Sequence, residues 1–251
     1  VDRNADYCRH WNGQGIVRPC QAGDDLCRMG GAAVRGTVTV FAAASLTGAF
    51  TTIGKDFEAA NRGARVTLNF AGSSALATQI NQGAPVDVFA AASPATMRTV
   101  VDAGNAGAEP VTFVRNQLVI AVAAGNPLRV AGLADLSRAG LKVALCDPQV
   151  PCGAAAKAAL AAAKVTIKPV TLEQDVKAAL AKVKLGEVDA ALVYRTDVRA
   201  AAGSVDGVEF PESAGAVNDY PVVVLRDAPN PVGAAAFVAY LRADQARAVL
   251  T

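Results

Sequence analysis

The chain has 251 residues, 52% of them apolar and 18% charged, with a formal net charge of +2. That length allows a large core or two lobes, and the charge is too small and too evenly spread for a nucleic-acid surface, which needs Lys and Arg gathered into a stripe. No apolar run approaches the roughly 18 residues of a bilayer span; LVIAVAAG, beginning at Leu118, stops at Gly125.

Residues 1–36 are rich in Gly, Arg, Asp and Cys, hold the only Trp and the only His, and show neither helical nor strand periodicity. They read as an irregular extension. VDRNADYCRHWNGQ has no apolar signal core and no small-residue cleavage site, so a leader has been removed or these residues are foreign to the domain. Cys8, His10, Cys20 and Cys27 are of zinc-ligand type but lack the compact paired spacing of structural zinc sites. Disulfides are the better use of the cysteines, which implies an oxidising compartment. The three in the extension leave an odd one, for which no partner is expected in the body.

From Thr37 the character changes. TVTVFAA, RVTLNFA, DVFAAA, QLVIAVAA, KVALC, IKPVTL, AALVY, VEFP and PVVVLR read as strands. Between them SLTGAFTTIGKDFEAAN, SALATQINQG, SPATMRTVVDAG, GAAAKAALAAA, DVKAALAKVKLG and TDVRAA have helical period, and NPVGAAAFVAYLRADQARAVL reads as one last helix. Such alternation predicts an α/β protein with mostly parallel sheets covered by helices.

In such folds ligands lie beyond the carboxyl ends of the strands, where helices begin. VFAAAS supplies two such turns, at residues 40–45 and 88–93. Ser93 followed by Pro94 is a routine N-cap and helix start. Gly72, Ser73 and Ser74 open another helix, Pro151, Cys152 and Gly153 a third, Asp175 and Val176 a fourth. Each start offers backbone N–H groups without intrahelical partners at the positive end of a helix dipole, so several converging would hold a small oxyanion without Lys or Arg.

TVTVFAAASLTGAF, NFAGSSALATQINQGAPVDVFAAAS, LCDPQVPCGAAAKAAL, EQDVKAAL and AALVYRTD follow one another in the order and spacing of the molybdate-binding proteins of ABC importers, which the chain resembles from about Thr37 to Leu250. The resemblance implies the two-lobe periplasmic-binding-protein fold of type II, with a hinge crossed twice. One lobe would be 37–116 plus 224–251, the other 117–223. It implies an anion held by the hydroxyls of Ser45, Ser73 and Tyr194 and the backbone N–H groups of Cys152 and Val176. Molybdenum would be reached only through its oxygens. It further implies molybdate or tungstate as ligand with no other cofactor, a permease as partner, a monomer, and an extracytoplasmic place in the periplasm or at the cell surface, with a lipid anchor as one form of the full-length protein. Three features depart from the family: Cys152 where many relatives have alanine, Ala92 and Ser93 where an acidic residue is usual, and an end at ARAVLT short of a common terminal segment.

Asp147 and Asp175 would repel a dianion and read as cap or turn residues, Arg195 as solvated, and Tyr220 as hinge packing. Cys146 and Cys152 flank the turn-forming DPQVP and are expected to form a disulfide. Binding is expected to close the lobes. A serine hydrolase would need a base, and the one histidine lies in the extension. A DNA-binding regulator would need a helix-turn-helix before Thr37, where no apolar periodicity exists. Sulfate or phosphate is the alternative ligand.

Overall fold

In a computed structural model the described residues are 34–250; residues 1–33, with Cys8, His10, Cys20 and Cys27, and Thr251 lie outside them. The first strand, β1 (Gly36–Ala43), buries Val38 and Val40 and ends in a 3-10 turn at Ala44–Leu46. Helix α1 (Thr47–Ala60) follows, and its Phe50, Ile53, Gly54 and Phe57 recur at helical period to form the buried face. Next come β2 (Ala64–Ala71), α2 (Ser73–Asn81), β3 (Val88–Ala90) and α3 (Pro94–Asp102). Ser93 caps α3 by accepting the Thr96 N–H, the plain N-cap role read from the sequence.

The chain then makes β4 (Val111–Asn116), a strand the sequence reading lacks, and β5 (Leu118–Ala123). It continues through β6 (Val143–Cys146), α4 (Pro151–Ala163), β7 (Thr171–Glu173), α5 (Val176–Lys184), β8 (Ala190–Tyr194), α6 (Arg195–Ala200) and β9 (Val205–Val208). Of the IKPVTL segment only the end pairs as β7; Pro169 has no N–H to donate to a ladder. Finally β10 (Asn218–Val224) leads to α7 (Pro231–Leu241) and α8 (Asp244–Leu250), so the single last helix of the sequence reading is two, broken at Arg242 and Ala243.

The described residues form two five-stranded sheets, ordered β2-β1-β3-β10-β4 and β7-β6-β8-β5-β9. In each, four strands share a direction and one runs against them, β10 in the first and β5 in the second. The sheets are therefore mostly parallel, and the reversed strands are the two entered after the chain changes lobe. The crossings fall at Gln117 and just before Asn218, and they lie side by side because Asn218 pairs with Asn116. The second lobe, carried to residue 223 from the sequence, ends earlier, since β10 pairs into the first sheet from Asn218 onward. The extension drawn to residue 36 likewise meets β1, which begins at Gly36.

Apolar helix faces cover both sheets. In the first lobe Phe57 and Phe237 meet edge to face with ring centres 5.3 Å apart, locking α1 to α7.

Candidate functional site

The carboxyl ends of β1, β2, β6, β7 and β8 face one cleft between the lobes. Its cavity is lined by Ser45 and Ser73 from the first lobe and by Cys152, Val176 and Tyr194 from the second, among other residues. All five residues picked from the sequence thus come together at one place. Ser45 sits in the 3-10 turn after β1, Ser73 is the first residue of α2, Cys152 the second of α4 and Val176 the first of α5, while Tyr194 ends β8.

The helix starts differ in how their N–H groups are used. At α5 the Asp175 carboxylate caps the helix, its Oδ1 accepting from the N–H groups of Lys177 and Ala178 at 2.8 and 3.0 Å. That leaves the Val176 N–H for the cavity. At α2 and α4 the capping residues, Gly72 and Val150, make no side-chain cap, so no side chain competes with a ligand there. Asp147 accepts from the Gln149 N–H within its own turn. Both aspartates therefore have the cap and turn roles read from the sequence, although Asp175 is itself among the residues lining the cavity.

Cys146 and Cys152 form a disulfide with Cα atoms 5.8 Å apart, closing the loop that carries Gln149 and Pro151. The start of α4 presses against this loop so tightly that a Cβ on Gly153 would fall 1.9 Å from the Asp147 carbonyl oxygen, and only glycine fits. Across the cleft a Cβ on Gly72 would fall 2.4 Å from the Gln174 carbonyl oxygen.

Among the residues lining the cavity none is Lys, Arg or His. The cavity leaves the centre of a water-sized sphere about 20 Å³ of play. That is room for a small ligand only.

A family profile described as bacterial extracellular solute-binding protein matches residues 38–251. The chain belongs to that family. Its members are extracytoplasmic transport receptors rather than enzymes. This solute-binding protein is 46% identical over 214 residues to the molybdate-binding protein ModA of Mycobacterium tuberculosis, covering 85% of this chain and 82% of the relative. The substrate-binding domain of a putative molybdenum ABC transporter from Clostridium difficile superposes with a TM-score of 0.65 at 28% identity, over 85% of this chain and 95% of that one. The sulfate-binding protein SubI of M. tuberculosis gives 0.73 at 19% identity, over 86% and 85%, a likeness of fold.

Around the cavity of this solute-binding protein lies a layer of residues the sequence reading did not assign to the site. Tyr220, taken as hinge packing, is fully buried and its hydroxyl lies 2.9 Å from Ser45 Oγ. Asn218 donates through Nδ2 to the Ala92 carbonyl at 2.7 Å and to the Tyr194 hydroxyl at 2.9 Å. The Ala92 N–H donates to Ser73 Oγ at 3.0 Å. A signal existed in NDYPVV: residues two apart on a strand share a face, and Asn218 and Tyr220 do so.

Below the site the buried Asp197 accepts the Tyr194 N–H at 3.2 Å through Oδ2, while Oδ1 stands 2.9 Å from Lys177 Nζ in an ion pair. Burial pushes the Asp197 carboxyl up, and Lys177 and the Tyr194 N–H oppose it. This pair ties the start of α6 to that of α5. Arg195 turns to Glu209, with contacts at 2.8 and 2.6 Å, and is not among the residues lining the cavity.

Proposed function

We propose that the chain is an extracytoplasmic receptor for molybdate and tungstate that hands its cargo to the permease of an ABC importer. The observation that carries this reading is the meeting of Ser45, Ser73, Cys152, Val176 and Tyr194 at one small cavity with no basic side chain in its wall. Hydroxyls and N–H groups hold a dianion by charge-assisted hydrogen bonds, each contributing about 1.5 to 3 kcal/mol. Five of them outweigh the cost of association and give a dissociation constant of roughly micromolar or tighter. The choice of molybdate is supported by the relative of 46% identity and that relative's ligand.

The donors come from both lobes, so the anion is held from all sides only when the cleft is closed. Sulfate is smaller than molybdate or tungstate, and donors fixed on helix starts reach it less well. Calorimetric titration of the four anions tests the assignment. Molybdate and tungstate should bind about equally, sulfate at least about tenfold more weakly, and phosphate not measurably. Sulfate binding as tightly as molybdate would overturn the ligand assignment.

A further inference from the structure

Of the residues lining the cavity, Asp175 is the only one that carries a charge at neutral pH, and that charge is negative. Its Oδ1 accepts from the N–H groups of Lys177 and Ala178, which holds the carboxylate at the start of α5, in the same helical turn as the Val176 N–H. No basic side chain among the described residues forms a salt bridge with it. Lys177, two positions along, is committed to the buried Asp197.

The cap therefore works in two directions. It satisfies two N–H groups that α5 cannot pair internally, and its charge opposes the positive helix end that favours an anion at Val176. Asp175 is half-buried and stands at the seam between the lobes, where a Cβ on Gly72 would lie 3.6 Å from its own Cβ. Main chain of the first lobe displaces solvent there, and charges shielded from water act on each other more strongly.

Resting on the oxyanion-receptor reading above, we propose that Asp175 is a specificity-determining residue, whose fixed negative charge in the cavity wall holds the affinity for a dianion below what the surrounding donors would give. The repulsion is proportional to the charge of the ligand, so on a logarithmic scale of affinity it falls twice as heavily on molybdate as on a singly charged tetrahedral anion of like shape. The site is thereby less selective for dianions over monoanions than its donors alone would make it. A receptor has to give up its cargo as well as hold it, and a like charge in the wall eases release without removing a donor.

The test is calorimetric titration of molybdate and of perrhenate, a tetrahedral oxyanion of single charge, into the wild type and Asp175→Asn. Asparagine caps a helix about as well as aspartate and has nearly its shape, so the substitution removes the charge and keeps the cap. Asp175→Asn should tighten molybdate about tenfold and perrhenate only about threefold, the square root of that factor. A purely structural role for Asp175 gives the opposite sign, since disturbing α5 weakens both anions. Molybdate bound by the variant at wild-type strength or more weakly, or both anions tightened by one factor, would overturn the proposal; where perrhenate binds neither protein, the molybdate factor decides. If Asp175→Asn does not fold, Asp175→Ser, neutral and of similar capping strength, takes its place with the same outcomes. A folded wild type that binds no tetrahedral anion at all would instead overturn the receptor reading.

Discussion

Ser74 Oγ donates to the Gln149 carbonyl at 3.1 Å, so a side chain of the first lobe grips the loop that the Cys146–Cys152 disulfide closes in the second. Beside this clasp Gly72 lies against the Gln174 carbonyl, where a Cβ would come within 2.4 Å. Closure of the cleft thus rests on a hydrogen bond and on a missing methyl group.

Gly72→Ala should act on closure alone. The Gly72 backbone, at φ −56° and ψ 132°, suits any residue, so the first lobe keeps its fold, and the clash is with main chain of the opposite lobe. Anion affinity should fall by about tenfold or more. Small-angle scattering should show the wild type shrinking when molybdate is added and the variant staying larger. Ser74→Ala removes one exposed hydrogen bond and should cost about two- to tenfold in affinity. A Gly72→Ala protein that binds and compacts like the wild type would remove the cleft contact from the binding cycle.

The disulfide should matter for both stability and binding. Cross-linking so short a loop contributes about 2 kcal/mol by limiting the unfolded chain. It also fixes the turn that presents the Cys152 N–H and the Gln149 carbonyl. Replacing Cys146 and Cys152 by serine should lower the Tm by about 5 °C and weaken molybdate by about tenfold. Peptide mapping of the unreduced protein should find neither thiol free, and finding both free would sink the linkage.

Ser73→Ala removes a donor that is 2% exposed and leaves the Ala92 N–H buried without its acceptor. Molybdate should weaken by about ten- to a hundredfold. Calorimetry gives the number, and a change below twofold would take Ser73 out of the site.

The pH response should be flat for binding and steep for stability at the alkaline end. None of the five proposed donors ionises between about pH 6 and 9. Burial raises the Tyr194 phenol well above its ordinary value, with the neighbouring Tyr220 adding to the effect, and burial raises Tyr220 as well. The folded state therefore keeps protons that the unfolded state gives up. Their stabilising contribution is whole below about pH 10 and is lost as the pH rises through the folded values. Ultraviolet titration should show that two of the four tyrosines ionise only as the protein unfolds. Tyrosinate at both positions in a folded protein would contradict the burial argument.

What could be read from the sequence was what is local in the chain. Ser45, Ser73, Cys152 and Val176 each sit where an apolar run meets a helix start, a pattern a few residues long, and Tyr194 closes a buried run of five. The lobe boundary near 217 and the role of Tyr220 depend on β10 returning to the first sheet, which brings Tyr220 to Ser45 across a separation of 175 residues. β4 escaped because VTFVRN is partly exposed and its alternation is broken. The break at Arg242 and Ala243 carries neither Gly nor Pro to mark it. Ala92 could not be singled out by residue type, since its N–H and carbonyl do the work and any residue has both.

Ala92 also sets a limit on what mutation can reveal. Its N–H donates to a serine of one lobe, and its carbonyl accepts from the asparagine that also donates to a tyrosine of the other. With Cys152 and Val176, it makes much of the recognition surface main chain. Alanine scanning passes over such positions in silence, reporting only changes of shape. Reading their chemistry requires editing the peptide bond itself, for instance by amide-to-ester replacement at positions 92, 152 and 176, and a receptor that shrugs off most side-chain changes there would still lose its cargo to one oxygen in place of one N–H.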